Sequence, residues 1–464
     1  MELTKSELNV LFFLNCTDAG NAERIAKMIG QDWRYCWQLK YWLHWNGKKW
    51  EKVSELALIK PIVTCFRQLA ALKFSDEEKK QNPTIDTIKK FLLSSENSNR
   101  VNGCIKHLQS ELVADIEKFD TTENLLNLQD CTLDLETGIA RSHRREDYLT
   151  QIAPTKYCKS YNQGLWLKTI EEILPDAETR RYFQKYMGYC LSGSTEAEKF
   201  IVLYGSGGGG KGTVMETIAA ALGKDYSVVL SVNALLAGQR TADGSAHNSE
   251  IAKLKGKRLV LSSETSKGCK FDDAKIKLLT GSDTVTARMP HGLPFDFKPQ
   301  FKLTIQTNYL PAIEDIFDNG MKRRLVIIPF DSKIPVRNER LKKELTQSAE
   351  LDAVLQWLLE GWQLYRAEGL PDYDSPDFPA EMKTVMQDFY QQQDTLSDFI
   401  AECFYAEKDA KPIKASVVFG IYQEWTKGDK AQLGRNSFYR EMSKRGFAKT
   451  HTENGDFIYG LLAR

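Results

Sequence analysis

The stretch FIVLYGSGGGGKGTVMETIAAALG, Phe200 to Gly223, sets a short apolar run before five closely spaced glycines and a lysine. Gly205, Ser206, Gly207, Gly208, Gly209, Gly210 and Lys211 fit the first seven positions of G-x-x-x-x-G-K-[ST]. Glycine lets the backbone take positive φ, so successive N–H groups can turn inward around an anion. A helix expected to begin near Thr213 adds its positive end to the same place. Lys211 would then meet the β- and γ-phosphates of a nucleotide. After the lysine the motif asks for a hydroxyl that binds Mg²⁺, but this chain has Gly212 there and its hydroxyl one residue later, at Thr213. Either Thr213 takes the metal role or water fills that place.

Phosphate chemistry also needs a carboxylate to activate water and help place Mg²⁺. KRLVLSSETSKG offers Glu264 at the end of an apolar run, with Ser263 where many ATPases carry Asp. FKLTIQTNYLP ends a further run in Asn308, fit to sense a γ-phosphate or position water. GMKRRLVIIPF sets Arg323 and Arg324 before a last strand, where an arginine can stabilise transition-state charge; Arg324 is the favoured one. Asp130 and Asp134 read as turn residues, because no matching histidine or third carboxylate lies nearby. Trp33, Trp37, Trp42, Trp45 and Trp50 read as a small aromatic core before they read as a base-stacking set. The cysteines (Cys16, Cys36, Cys65, Cys104, Cys131, Cys158, Cys190, Cys269, Cys403) form no C-x-x-C pair, which points to reduced cytosolic thiols and no structural metal.

Composition and hydrophobic pattern give the scaffold around these residues. A length of 464 residues implies two to four domains, and 42% hydrophobic with 27% charged residues describes a globular chain. Net charge is +1, so any nucleic-acid surface must be local. No secretory leader and no apolar run of ~18 residues is found, so no membrane span is expected. Residues 1–195 mix helices with hairpins turning at Asn46-Gly47 and at Glu136-Thr137-Gly138. Residues 196–345 read as an α/β core with buried parallel strands at Phe200–Tyr204, Arg258–Ser262, Phe301–Thr307 and Leu325–Phe330. Residues 346–410 read as a helical connector, with a linker from Pro371 to Pro379. Residues 411–464 give helix, helix and a hairpin turning at Asn454-Gly455, the order of a winged-helix module. Between Lys427 and Lys449 seven basic residues face two acids, which favours a DNA surface that includes Arg440, Lys444 and Arg445.

The ordered set GSGGGGKGT, SSETSKG, LLTGSDTVTARMPHGLPFDFKP, TIQTNYLP and KRRLVIIPF resembles the helicase module of the superfamily three helicases. The likeness is to the phage and plasmid primase-helicase branch with its poxvirus-type members. CTLDLETGIARSHRREDYLTQIAP resembles the domain that precedes that module. The resemblance implies an AAA+-like P-loop ATPase core that uses ATP and Mg²⁺. It implies a homo-hexameric ring drawing single-stranded or forked DNA through its channel, typically 3′ to 5′. Glu264 becomes the Walker B carboxylate, Asn308 sensor 1, and Arg323 or Arg324 the finger supplied to a neighbour. TARMPHGLPF matches the channel hairpin and offers Arg288 and His291 to DNA. With no zinc ribbon and no carboxylate set for nucleotidyl transfer, a helicase without its own primase is expected. It would serve a phage, plasmid or integrated element in the cytoplasm of a bacterial host, beside a separate primase or origin-binding protein. The alternatives are an origin-binding or loading ATPase without processive unwinding, and a bifunctional primase-helicase.

Overall fold

The computed structural model describes residues 3–157, 164–238, 249–290, 292–332, 338–407, 410–427 and 433–464. Buried apolar side chains gather in three clusters, and each begins with a local pattern. The first lies within residues 11–112. Helix α1 (Lys5–Phe12) starts at a capping box made by Thr4 and Glu7. It is followed by α2 (Asp18–Ile29), α3 (Leu56–Ala70), α4 (Asp76–Gln81), α5 (Ile85–Ser94) and α6 (Ser98–Glu111). Apolar stripes that include Ile25, Ile62, Phe66, Leu92 and Leu108 face one another. Strands β1 (Trp33–Cys36), β2 (Tyr41–Trp45) and β3 (Trp50–Val53) form an antiparallel meander, and β4 (Val113–Ala114) pairs with β1 in parallel. The expected turn at Asn46-Gly47 joins β2 to β3, with the Asn46 side chain accepting from the N–H groups of Lys48 and Lys49. Trp33, Trp42 and Trp50 are buried, whereas Trp37 is 44% exposed.

The second hairpin also forms where the sequence places it. Strands β5 (Leu125–Asn127), β6 (Thr132–Asp134) and β7 (Ala140–Arg141) pair in order. The Asp134 carboxylate accepts from the N–H groups of Glu136 and Thr137, and that of Asp130 from Tyr157 N–H. Asp134 therefore holds its own turn, and Asp130 ties this hairpin to the chain at Tyr157.

All four expected core strands form: β8 (Phe200–Tyr204), β10 (Leu259–Ser263), β13 (Lys302–Thr307) and β14 (Leu325–Pro329). A short strand that the sequence did not announce, β9 (Ser227–Val229), completes a five-stranded parallel sheet of order β14-β8-β13-β10-β9. Phe200 pairs with Leu325 and Leu259 with Lys302, so the carboxyl ends of these strands share one edge. A separate hairpin, β11 (Val285–Arg288) with β12 (Pro294–Phe297), lies between β10 and β13 in the chain.

The helices of this core are α7 (Gly164–Ile173), α8 (Ala177–Tyr189), α9 (Lys211–Tyr226), α10 (Asp273–Thr280), α11 (Asn319–Lys322), α12 (Leu341–Leu345), α13 (Ser348–Glu368) and α14 (Ala380–Gln393). They shift the boundaries expected at 195 and 345. Helices α8 and α13 share the buried cluster of the sheet. They meet through glycines: a Cβ on Gly188 would lie 2.0 Å from Trp362 N, and one on Gly361 2.2 Å from Gln184 O. The stretch from Pro371 to Pro379 is packed as well, since Phe378 is buried against Tyr182 with ring centroids 5.6 Å apart.

The third cluster runs from Leu396 to Leu461. Its elements are α15 (Thr395–Cys403), β15 (Phe404–Ala406), β16 (Ile413–Lys414), α16 (Ala415–Trp425), α17 (Arg435–Lys444), β17 (Lys449–Thr452), β18 (Gly455–Ile458) and β19 (Leu461–Ala463). The two expected helices and the hairpin are present, but α15 supplies Leu396 and Phe399 to their core, so this unit begins near 395 rather than 411. Among the described residues no helix is long and apolar enough to cross a membrane.

A chain ending at Asp394 is expected to keep the cooperative melting of the sheet core. A chain ending at Ala410 strands Leu396, Phe399 and Phe404 without partners, each roughly 1.5–3 kcal/mol of lost burial. Thermal melting with an apolar dye separates the two: the longer chain binds dye and aggregates, and the shorter does not.

Candidate active site

The Gly-rich loop leaves the carboxyl end of β8 and enters α9, which begins at Lys211, two residues earlier than expected. Gly207, Gly208 and Gly210 take φ of +99°, +75° and +81°. Gly205 and Gly209 serve a different need. A Cβ on either would lie 2.3 or 2.1 Å from the carbonyl oxygen of Phe330, at the end of β14. The α9 ladder starts with Val214 N–H donating to Gly210 O, so the N–H groups of the turn before it have no intrahelical acceptor. This is a cradle of donors shaped for an anion.

Lys211 Nζ donates to Gly205 O at 2.8 Å and to Asn308 Oδ1 at 3.1 Å. Burial pulls its amine below the usual lysine range, and the Asp331 carboxylate works in the opposite direction. Asn308 follows β13, the strand inserted between β8 and β10, and stands beside the lysine for that reason. Its turn is set by the Thr307 hydroxyl, which accepts from Tyr309 N–H at 2.9 Å. Glu264 follows β10 on the same edge, exposed to solvent, with φ +62° and its N–H bonded to Gln306 O at 3.0 Å. A left-handed non-glycine residue costs about 1–2 kcal/mol. Here that conformation turns the chain off the strand end, and the next residue pins it: the Thr265 hydroxyl bonds Tyr309 O at 2.5 Å.

Thr213 is half-buried in the first turn of α9. At Gly212 a Cβ would meet only Glu216 Oε1, at 3.5 Å, so the missing hydroxyl is not excluded by crowding. Asp331, next to Gly205 and Lys211, was not singled out from the sequence. Its signal was its place just after the fourth parallel strand, where ligand-facing residues gather.

The two arginines stand at the opposite edge. They precede β14, and Phe200 N–H donates to Arg324 O, so a full strand separates them from their own loop, about 17 Å for five residues. Arg324, the favoured residue, has a side chain only 8% exposed. It pairs with Glu198 at 2.8 Å and donates to Thr280 Oγ1 and Gly320 O. Arg323 also pairs with Glu198 but stays 57% exposed.

The expected DNA residues divide similarly. Arg288 is exposed at the end of β11 and donates from Nε to Gly292 O at 2.9 Å. His291 lies outside the described residues. Arg440 is exposed on α17. Lys444 instead pairs with Asp315 and with Glu441. Arg445 pairs with Asp394 and lies 4.7 Å over the Phe317 ring. These last two join α17 to the loop that follows Asn308, which removes them from a free DNA surface.

Gly209→Ala is expected to cost on the order of 1–3 kcal/mol through overpacking and to abolish nucleotide binding, because the loop cannot keep its place against Phe330. Gly212→Ser should melt close to the parent. Calorimetric melting with a nucleotide-binding titration checks both.

Residues 22–175 match the family described as "D5 N terminal like", and residues 203–324 match one described as a family of unknown function, DUF5906. The chain is 26% identical over 453 residues to "Putative helicase L207/L206" of Acanthamoeba polyphaga mimivirus, a match covering 87% of this chain and 45% of that protein. It is 24% identical over 329 residues to "Putative primase C962R" of African swine fever virus (strain Badajoz 1971 Vero-adapted), covering 67% and 34%. It is 26% identical over 270 residues to "Putative helicase 022R" of Frog virus 3, covering 55% and 27%. The chain thus spans less than half the length of these relatives. In fold it is similar to the C-terminal region of NrS-1, with a TM-score of 0.53 at 10% identity over 93% of this chain and 96% of that one. The two family matches divide at the Gly-rich loop's strand: one ends before β8, and the other carries Lys211, Glu264, Asn308 and the arginine pair.

Proposed function

We propose that the chain is an ATP-driven DNA helicase of the superfamily three kind, working as a ring on single-stranded or forked DNA. The observation that carries this reading is the shared strand edge. The phosphate-loop lysine, Asn308 and Glu264 follow three adjacent parallel strands, with Lys211 Nζ 3.1 Å from Asn308 Oδ1. An AAA+-like core is supported by the strand inserted between the loop strand and the carboxylate strand.

The roles follow from chemistry. Phosphate oxygens would take over the Lys211 contacts now made by Gly205 O and Asn308. The freed Asn308 amide can then read the γ-phosphate. Glu264, exposed on the edge and in a conformation that costs energy, is placed to take a proton from the attacking water. Magnesium fits the residues present: Glu264 and Thr213 would hold it, with open space at Gly212 for a coordinated water. When bound it neutralises charge on the β- and γ-phosphates.

Arg323 and Arg324 lie too far from their own loop to serve it, so a finger must act on a neighbouring subunit. Its exposure favours Arg323 as that finger, with the buried Arg324 as its support. The implied ring is a hexamer. The β11–β12 hairpin carries Arg288 toward DNA, and the helix-strand-strand-helix-helix-hairpin order of the last unit supports a winged-helix module presenting Arg440. A mobile element replicating in a bacterial cytoplasm, with a separate primase or origin-binding partner, is the setting this reading gives.

Glu264→Gln should bind nucleotide within a few-fold of the parent, yet hydrolyse it about 10²-fold more slowly or worse, because an amide cannot act as the base. Lys211→Ala should weaken binding roughly ten- to a hundredfold, the loss of charge-assisted contacts. Equilibrium binding beside DNA-stimulated hydrolysis and unwinding of forked DNA reads both. Near-parental turnover in Glu264→Gln would move the base elsewhere.

A further inference from the structure

Trp37 sets itself apart from its neighbours. Trp33 packs on His44, Trp42 on Tyr35, and Trp45 on Trp50, with ring centroids 4.4, 5.1 and 6.0 Å apart. Among the described residues Trp37 meets no other ring and no cation, and it stays 44% exposed. Yet it is not loose. Its indole N–H donates to Asp115 Oδ1 at 2.7 Å, which fixes the ring and leaves apolar surface open. An exposed aromatic ring held by its polar edge is preorganised for a flat partner.

The loop that carries it is built against the β11–β12 hairpin. β1 and β2 close at the Cys36–Tyr41 pair, leaving Trp37, Gln38, Leu39 and Lys40 in the turn. Gln38 is 5% exposed, and its Oε1 accepts from Ile116 N–H at 3.3 Å. The Gln38 carbonyl accepts from Leu293 N–H at 3.0 Å, and a Cβ on Gly292 would lie 3.3 Å from Leu39. Gly292 O in turn receives Arg288 Nε at 2.9 Å. One chain of contacts therefore runs from the tryptophan loop to the hairpin arginine. Lys40 is exposed in the same turn, and among the described residues neither it nor Arg288 has a carboxylate partner. Three carboxylates lie in the same region: Asp115 accepts from the Trp37 indole, Asp296 from the Thr286 hydroxyl, and Glu117 from Asp296 N–H.

We propose that Trp37 is a base-stacking contact for single-stranded DNA, with Lys40 and Arg288 as flanking phosphate contacts. The inference rests on the reading of the β11–β12 hairpin as a DNA element. Single strands are bound by aromatic faces set among cations, and stacking tolerates any base because each has a π face. A duplex keeps its bases stacked on one another and offers this ring nothing. The bound species is thus a strand with free bases.

The test uses the full chain and two labelled strands of equal length, oligothymidine and an abasic spacer, by fluorescence anisotropy across a salt series. The parent should prefer oligothymidine about tenfold. Trp37→Ala should lose that preference while keeping its salt slope, and Trp37→Phe should keep most of the preference. Arg288→Ala should keep the preference but lower the salt slope by about one. If Trp37→Ala melts early, Trp37→Leu, apolar but without a π face, gives the same readout. A Trp37→Ala or Trp37→Leu protein with the parental preference overturns the inference, as does a parent that binds both strands alike. Loss of preference in Trp37→Ala with an unchanged slope in Arg288→Ala would overturn the hairpin reading and leave the stacking contact standing.

Discussion

Gly205 and Gly209 touch the carbonyl oxygen of Phe330 so closely that neither admits a side chain. This contact presses the anion cradle onto the end of β14, and much else follows from it. β14 is in register with β8 from Phe200 to Tyr204, so the loop at one end of the pair fixes where Arg323 and Arg324 stand at the other. Ile173 closes a third side, since a Cβ on Gly210 would lie 2.6 Å from its side chain. The cradle is therefore held by the sheet, the α7 helix and its own glycines rather than by a flexible loop. Inserting β13 beside β8 then places Asn308 within reach of Lys211, and β10 brings Glu264 to the same edge.

Charge is sorted by burial in this chain. Arg258, Lys302 and Arg324 lie at the amino edge of the sheet or next to it, almost wholly buried. Lys302 Nζ donates to Ser192 O and Ser194 O, and burial pushes its amine down to about 7. Such cations bind backbone carbonyls and hold the layers together. Of the residues argued to act, Glu264, Asn308, Arg323, Arg288 and Lys40 are left in solvent. Lys444 and Arg445 belong to neither class: they lie in a basic stretch but are paired with carboxylates, Lys444 with Asp315 and Glu441 and Arg445 with Asp394. They link the last unit to Asp315 and Phe317, in the chain between Asn308 and the arginine pair, and so give that unit a direct contact with the sheet core.

Much of this was legible in sequence because local pattern and tertiary role agree. Four strands buried on both faces read as continuous apolar runs, and Asn-Gly turns flanked by alternating residues read as hairpins. The glycine cluster marked the loop between β8 and α9. β9 was not visible, being three residues long with Val229 exposed. The joining of α8 to α13 was hidden too, because it depends on glycine contacts across some 170 residues of chain. Among the site residues, spacing named Arg323 and Arg324 together, but only packing separates them: Arg323 caps α11 with its side chain 57% exposed, and Arg324 turns inward to Glu198, Thr280 and Gly320. Basic composition pointed to Lys444 and Arg445 for DNA; beyond the nearby Glu441, their partners Asp315 and Asp394 lie 129 and 51 positions away, where no window along the chain shows them.

The central claim is that one subunit's phosphate loop is completed by another subunit's arginine. Mixing Arg323→Ala protein with Lys211→Ala protein, each nearly inactive alone, tests it most directly. Differently tagged chains that co-purify establish that subunits exchange. An intact loop then meets an intact finger at some interfaces, and hydrolysis should return in the mixture. The same mixture made with Arg324→Ala should recover less, because that residue supports its own fold. Proven exchange with no recovered hydrolysis in the Arg323→Ala mixture would contradict the shared site and leave the arginine pair as a structural clasp on Glu198.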